Sequence, residues 1–76
     1  MKRYVKEMAA DVQREIQKEI DAHIVPRDDL EELKKWMGFI RTEYKNGLMT
    51  DRDAVSALLV TWDKLKEWQW RNAEVF

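Results

Sequence analysis

The side chains of this chain that could do acid–base, nucleophilic or metal chemistry are few and widely spaced. His23 is the only histidine and there is no cysteine, so the nitrogen and thiolate ligands of an ordinary zinc site are missing. The hydroxyls fall at helical or capping positions, with no base spaced to activate them: Thr42, Thr50, Ser56 and Thr61. We therefore expect no catalytic residue and no enzyme.

Asp51 and Asp53, with Asp63 further on, imitate the beginning of a calcium-binding loop. The glycine, the terminal glutamate and the third acidic position of such a loop are absent. The chain contains only Gly38 and Gly47, so a glycine-rich phosphate loop cannot be built either. We expect no metal and no cofactor.

The sequence also predicts the turn that must position these acidic residues. Asn46-Gly47 predicts a helix stop, because glycine adopts the left-handed conformation that follows many helices. Leu48 can add the apolar contact that accompanies a Schellman cap. Thr50 predicts an N-cap, with Asp53 in place of the glutamate of a capping box. Two helices joined by so short a turn form a helical hairpin.

Apolar spacing predicts three helices, over residues 2–24, 28–45 and 51–72. In the first helix, strict four-residue steps from Met8 to Ile24 predict a slanting stripe, typical of a helix that crosses its neighbours obliquely. Pro26 ends that helix. The second helix is predicted to begin at Asp28 as N-cap, with Glu31 as its capping-box partner.

The second and third helices each carry an apolar face. The second has a seam at alternating steps of three and four: Leu30, Leu33, Met37, Ile40 and Tyr44. The third is predicted to face the core with Ala54, Val55, Leu58, Trp62 and Leu65. The predicted fold is all-α, a single domain over 1–76 that forms a compact three-helix bundle or a crossed three-helix arrangement. Val75 and Phe76, in the tail 73–76, are expected to dock on it.

Composition narrows the classes of partner. The chain has 14 Lys+Arg against 15 Asp+Glu, so it lacks the net basic face of a nucleic-acid binder. A helix–turn–helix reader built on 51–72 would also open with Asp51 and Asp53 at the phosphates. No segment is apolar and long enough for a membrane span, and no secretory leader is evident. We expect a cytoplasmic protein that does not engage membranes.

Four tryptophans are the one compositional excess. Trp36 and Phe39 lie away from the seam of the second helix, and Trp68 and Trp70 point in nearly opposite directions on the third. Tryptophan is enriched at binding hot spots. We therefore expect these four residues to contact a protein partner. In the alternative interpretation the third helix is central, and the other helices and the tail cover its apolar surface.

The stretch Tyr44–Ala54, together with the opening Met1–Glu7, resembles small helical proteins encoded in prophages and mobile elements of Gram-positive bacteria. Members of that class mostly lack assigned functions, so the resemblance implies no functional residue. It implies a context, the cytoplasm of a bacterial host cell. It also implies a mode of action, stoichiometric binding to a host or phage protein, including the inhibition of defence nucleases.

Three hypotheses follow for the function. The first is a non-catalytic protein–protein interaction module, as a phage or mobile-element accessory protein or inhibitor. The second is a structural homodimer that closes its apolar surface on a second copy, which a core of only 76 residues would favour. The third is a small helix–turn–helix regulator that binds nucleic acid.

Overall fold

The three helices of the chain are all in contact with one another. The computed structural model describes residues 2–23 and 27–72, which contain α1 (Arg3–Asp21), α2 (Asp28–Lys45) and α3 (Asp51–Asn72). Each of the three pairs of helices packs together, so the predicted all-α three-helix bundle is confirmed. None of these helices combines the length and the apolar character needed to cross a bilayer.

α1 packs along a straighter seam than its sequence predicted. Its buried residues follow steps of four, three and four: Val5, Ala9, Val12 and Ile16. Met8 and Ile20, which belong to the predicted slanting stripe, are only partly buried beside the core. The buried stripe therefore runs closer to the helix axis than the predicted one, and the oblique crossing stays a prediction.

α1 ends at Asp21, earlier than the predicted end at Ile24. The N–H of Ala22 donates to the carbonyls of Lys18 and Glu19, and the N–H of His23 donates to Ile20 O at 3.2 Å. Bonds that span three residues tighten the last turn and close a helix. The predicted stop at Pro26 lies outside the described residues, as does the predicted docking of the tail 73–76.

The turn between α2 and α3 matches the sequence-based prediction. Gly47 has a φ of 77°. The N–H of Leu48 donates to Glu43 O at 2.9 Å and that of Gly47 donates to Tyr44 O at 3.1 Å, the two bonds of a Schellman cap. The Oγ1 atom of Thr50 accepts the N–H of Asp53 at 3.1 Å, which confirms the N-cap. The apolar contact predicted for Leu48 is not made, since this side chain is 72% exposed.

The beginning of α2 differs from its prediction. Asp28 is already helical, and Arg27 takes the N-cap position without a capping side chain. The N–H of Glu31 donates to the carbonyl of Arg27, so Asp28 and Glu31 do not form the predicted capping box. The acidic side chains of this first turn instead stabilise the helix through its dipole.

α3 is turned slightly about its axis relative to the prediction. It buries Ala54, Leu58, Thr61, Leu65 and Trp68. Val55 and Trp62 were predicted to enter the core, and the structure places both at its edge, partly buried. Thr61 can occupy the core because its hydroxyl donates to Ala57 O at 2.7 Å, which satisfies the one polar group that it brings inside.

Tyr44 joins all three helices at one end of the bundle. Its hydroxyl donates to a carboxylate oxygen of Asp51, at the beginning of α3, and accepts the backbone N–H of Lys2 at 3.1 Å. The bond to Asp51 raises the pKa of the Tyr44 phenol above its ordinary value, since only the neutral phenol can donate it; the Lys2 N–H, which favours the ionised form, opposes this.

The two glycines should respond oppositely to alanine. A Cβ at either position meets no atom within 4 Å, so neither alanine would clash. The effect on stability therefore depends on the backbone conformation at each position. Gly38→Ala, inside α2, should raise the free energy of unfolding by about 0.5–1 kcal/mol. Gly47→Ala must hold a positive φ and should lower it by about 1–2 kcal/mol. Urea unfolding measures both, and a Gly38→Ala chain less stable than the wild type would contradict this account.

The Tyr44 network should make the bundle sensitive to alkali. The folded state favours the neutral phenol. The stabilisation that the Tyr44 hydrogen bond gives to the folded state is therefore complete below the pKa of the unfolded chain, near 10.0. It is lost as pH rises through the higher pKa of the folded state. The wild type should lose more stability than Tyr44→Phe over this range in urea unfolding. In a Tyr4→Phe chain, phenolate absorbance reports Tyr44 alone, and its midpoint should fall when urea unfolds the chain. An unchanged midpoint would contradict the assignment.

Candidate protein-interaction surface

The feature of the described surface that packing inside the bundle explains least is an aromatic pair on α2. Trp36 and Phe39 lie one helical turn apart, and their rings stack with centroids 5.3 Å apart and planes 17° from parallel. The two side chains remain 41% and 49% exposed. We call the surface formed by Leu33, Trp36, Phe39 and Val60 the α2–α3 face. It contains the two α2 residues that the sequence assigned to a partner.

A groove of about 610 Å³ runs between α2 and α3 beside this pair. Its apolar wall is formed by Leu33, Trp36, Val60 and Trp68, and its charged rim by Asp29, Glu32, Lys64, Glu67 and Arg71. An apolar wall inside a rim of both charges is the usual anatomy of a protein-binding surface. The groove offers side-chain contacts of that kind.

Trp68 belongs to the core, and its assignment to the exposed partner-binding set is corrected. Only 4% of the residue is exposed. Its indole Nε1–H donates to Oδ2 of Asp29 at 2.6 Å, and the other oxygen of Asp29 accepts the N–H of Leu30 at 3.0 Å. His23 contacts the indole ring nearly edge-on, with centroids 5.4 Å apart. Trp68 therefore supports the groove from inside the bundle.

Trp70 is not brought together with the aromatic pair. It is 82% exposed and points away from the core, about 140° around α3 from Leu65. Relative to Val60 it lies about 15 Å further along the helix and about 80° around it. The four predicted partner-contacting residues thus fall in three places: an exposed pair on α2, a core position, and the far side of α3.

The lone histidine is held by structural contacts. Its Nε2 atom lies 3.6 Å from a carboxylate oxygen of Glu19, and Glu19 also accepts a hydrogen bond of 2.7 Å from the Gln69 side chain. These bonds, with the Trp68 contact, tie the end of α1 to α3. Across residues 2–23 and 27–72, no three His, Cys, Asp or Glu side chains cluster in a way that could hold a metal ion.

The sequence reasoning missed the α3 side of the groove. Val60, Lys64, Glu67 and Arg71 recur at steps of four, three and four beside the buried seam. That spacing is visible in the sequence and predicts a common helix face. The sequence-based prediction relied on tryptophan as the sign of an interface, and this stripe contains one valine and three charged residues.

Asp29 should stabilise the fold mainly through Trp68. Asp29→Ala removes the charged acceptor of a partly buried indole N–H, which costs about 1–3 kcal/mol of unfolding free energy. Asp28→Ala is the matched control, since it removes a neighbouring first-turn carboxylate and should cost at most about 1 kcal/mol. In a Trp68→Phe background the cost of Asp29→Ala should shrink toward that of the control in urea unfolding. An equal cost in both backgrounds would show that Asp29 acts independently of the indole.

Comparisons with protein-family models, with curated proteins and with solved structures give no match for this chain. The resemblance to prophage and mobile-element proteins therefore stays a prediction. The candidate surface rests on its geometry alone.

Proposed function

We propose that this chain is a non-catalytic protein–protein interaction module and that the α2–α3 face is its contact surface. The observation that carries the proposal is the stacked Trp36–Phe39 pair, half exposed beside the groove. Large aromatic side chains bury more apolar area than any others and dominate the energetics of protein interfaces. A partner that covers this pair would remove its exposed apolar surface from water, which favours binding.

The stacking itself supports a binding role. Each ring restricts the other, so less side-chain freedom is lost when a partner covers the pair. The charges around the groove can exclude wrong partners, because a like charge opposite Lys64 or Glu32 is unfavourable. An aromatic centre with such a rim is the arrangement in which interface hot spots are found.

Nothing in the geometry favours the helix–turn–helix alternative, which remains a prediction. The first turn of α3 carries Asp51 and Asp53, and carboxylates repel the phosphates that this helix end would approach. The narrower description, a phage or mobile-element accessory protein or an inhibitor in a bacterial cytoplasm, is also a prediction. It derives from the resemblance of Tyr44–Ala54 and Met1–Glu7 and would be tested by the identity of the captured partner.

Trp36→Ala and Phe39→Ala should each weaken partner binding by about 2 kcal/mol, the threshold of an interface hot spot. Both residues are exposed, so the urea unfolding transition should be nearly unchanged. The matched control is Leu59→Ala, which removes a half-exposed side chain on another side of α3. The measurement is quantitative affinity capture from cells that produce the chain, with each variant as bait and self-association recorded in parallel.

Equal capture by the wild type, the two aromatic variants and Leu59→Ala would contradict the proposal. Loss of binding only with Leu59→Ala would move the contact surface to the adjacent side of α3, where Trp70 also lies. Loss of binding together with loss of folding in Trp36→Ala would assign that residue to the core.

A further inference from the structure

We propose that the occupant of the α2–α3 face is a second copy of this chain, related by a two-fold axis that runs parallel to the helices. In this arrangement α2 of one copy packs against α3 of the other, and the four helices form an antiparallel bundle. The inference rests on the proposed function, because it names the partner of that same surface.

The register between α2 and α3 is fixed by the hydrogen bond from Trp68 to Asp29. The two helices run antiparallel, so each step forward on α2 corresponds to a step back on α3. Three residues beyond Asp29, Glu32 stands level with Leu65, which adjoins Lys64. Four residues further, Trp36 stands level with Thr61, within about 1.5 Å along the axis of Val60.

A two-fold axis parallel to the helices preserves these levels. Glu32 of one copy then stands opposite Lys64 of the other, and Trp36 stands opposite Val60. Because a two-fold interface is isologous, each contact occurs twice. A two-fold axis lying in the interface but perpendicular to the helices would instead place α2 opposite α2 and α3 opposite α3, so Glu32 would not face Lys64.

The charges on the two sides of the groove are complementary in this geometry. The α2 side carries Asp29 and Glu32, and the α3 side carries Lys64, Glu67 and Arg71, so the α3 side keeps a net positive charge although Arg71 lies 3.9 Å from Glu67. Within residues 2–23 and 27–72, neither Glu32 nor Lys64 forms an ion pair. A second copy brings the acidic side of one groove to the basic side of the other at two places, which is the self-complementarity that a homodimer needs.

The long side of the bundle that carries the face has room for a dimer interface. The bundle measures 45 Å by 19 Å by 16 Å between Cα atoms, so one long side can cover the ~800 Å² per partner of a standard stable interface. The half-exposed Trp36, Phe39 and Val60 side chains would supply its apolar centre. Dimer formation would also add buried area to a core that is small for a chain acting alone.

The test reverses one charge in each of two variants and then mixes them. Glu32→Lys places lysines opposite each other in its own dimer, and Lys64→Glu places glutamates opposite each other. Each variant alone should dissociate at least ~10-fold more readily than the wild type, because an attraction becomes a repulsion at two symmetric places. Mixed in equal amounts, the two variants should form a heterodimer in which both pairs are again opposite in charge.

Light scattering over a concentration series measures the dissociation, and native mass spectrometry identifies the one-to-one heterodimer. Circular dichroism and urea unfolding of each variant establish that the bundle is intact. Glu31→Lys serves as the control, since Glu31 lies on the same helix but outside the groove lining; it should leave the dimer unaffected. A mixture that stays as dissociated as its components would overturn the proposed geometry.

Different results would overturn the proposed dimer and the proposed interaction surface. A wild-type chain that remains monomeric at all concentrations, yet captures another protein through Trp36 and Phe39, overturns the dimer and leaves the interaction surface standing. A monomer that captures nothing through these residues overturns both.

Discussion

The hydrogen bond between the Trp68 indole and Asp29 is the constraint on which the arrangement of α2 and α3 depends. Tryptophan is the largest side chain in the core, and its single polar group must find an acceptor when it is buried. Asp29 provides that acceptor at 2.6 Å from the first turn of the neighbouring helix. The bond therefore satisfies the tryptophan that the spacing of α3 puts in the core, and it sets the register in which Glu32, Trp36, Val60 and Lys64 surround one groove.

Polar contacts hold the two ends of the bundle, and an apolar core fills the space between them. At one end Tyr44 bridges Asp51 and the N–H of Lys2, and at the other Gln69 bonds Glu19 beside the Trp68 contact. Apolar packing favours burial but discriminates weakly between registers, whereas a hydrogen bond is satisfied at only one. The polar ends thus give a small core a single arrangement.

The parts of this structure that are predictable from sequence are those decided within a few residues. The hairpin turn follows from Gly47 and Thr50, and the three helices follow from apolar periodicity. The choice between Trp68 and Trp70 is also visible in the spacing, since Trp68 follows Leu65 by three residues on the buried seam and Trp70 lies about 140° from Leu65; the acceptor Asp29, 39 residues away, could not be identified from sequence. The beginning of α2 was mispredicted because Asp28 and Asp29 are equally good capping residues locally, while the tertiary bond recruits Asp29 within the first turn.

The position of Phe39 explains why the bundle cannot complete its own α2 surface. On α2 the buried residues Leu30, Met37 and Ile40 define the inward direction, and Phe39 points about 150° away from it. Both neighbours of α2, the helices α1 and α3, pack against its inward side, so neither helix reaches the Phe39 ring. Trp36 lies between Phe39 and the groove and extends the apolar surface from the core edge outward. Within residues 2–23 and 27–72 the pair therefore stays half exposed, at the outer edge of an apolar surface that begins on α2 and continues to the α3 side of the groove.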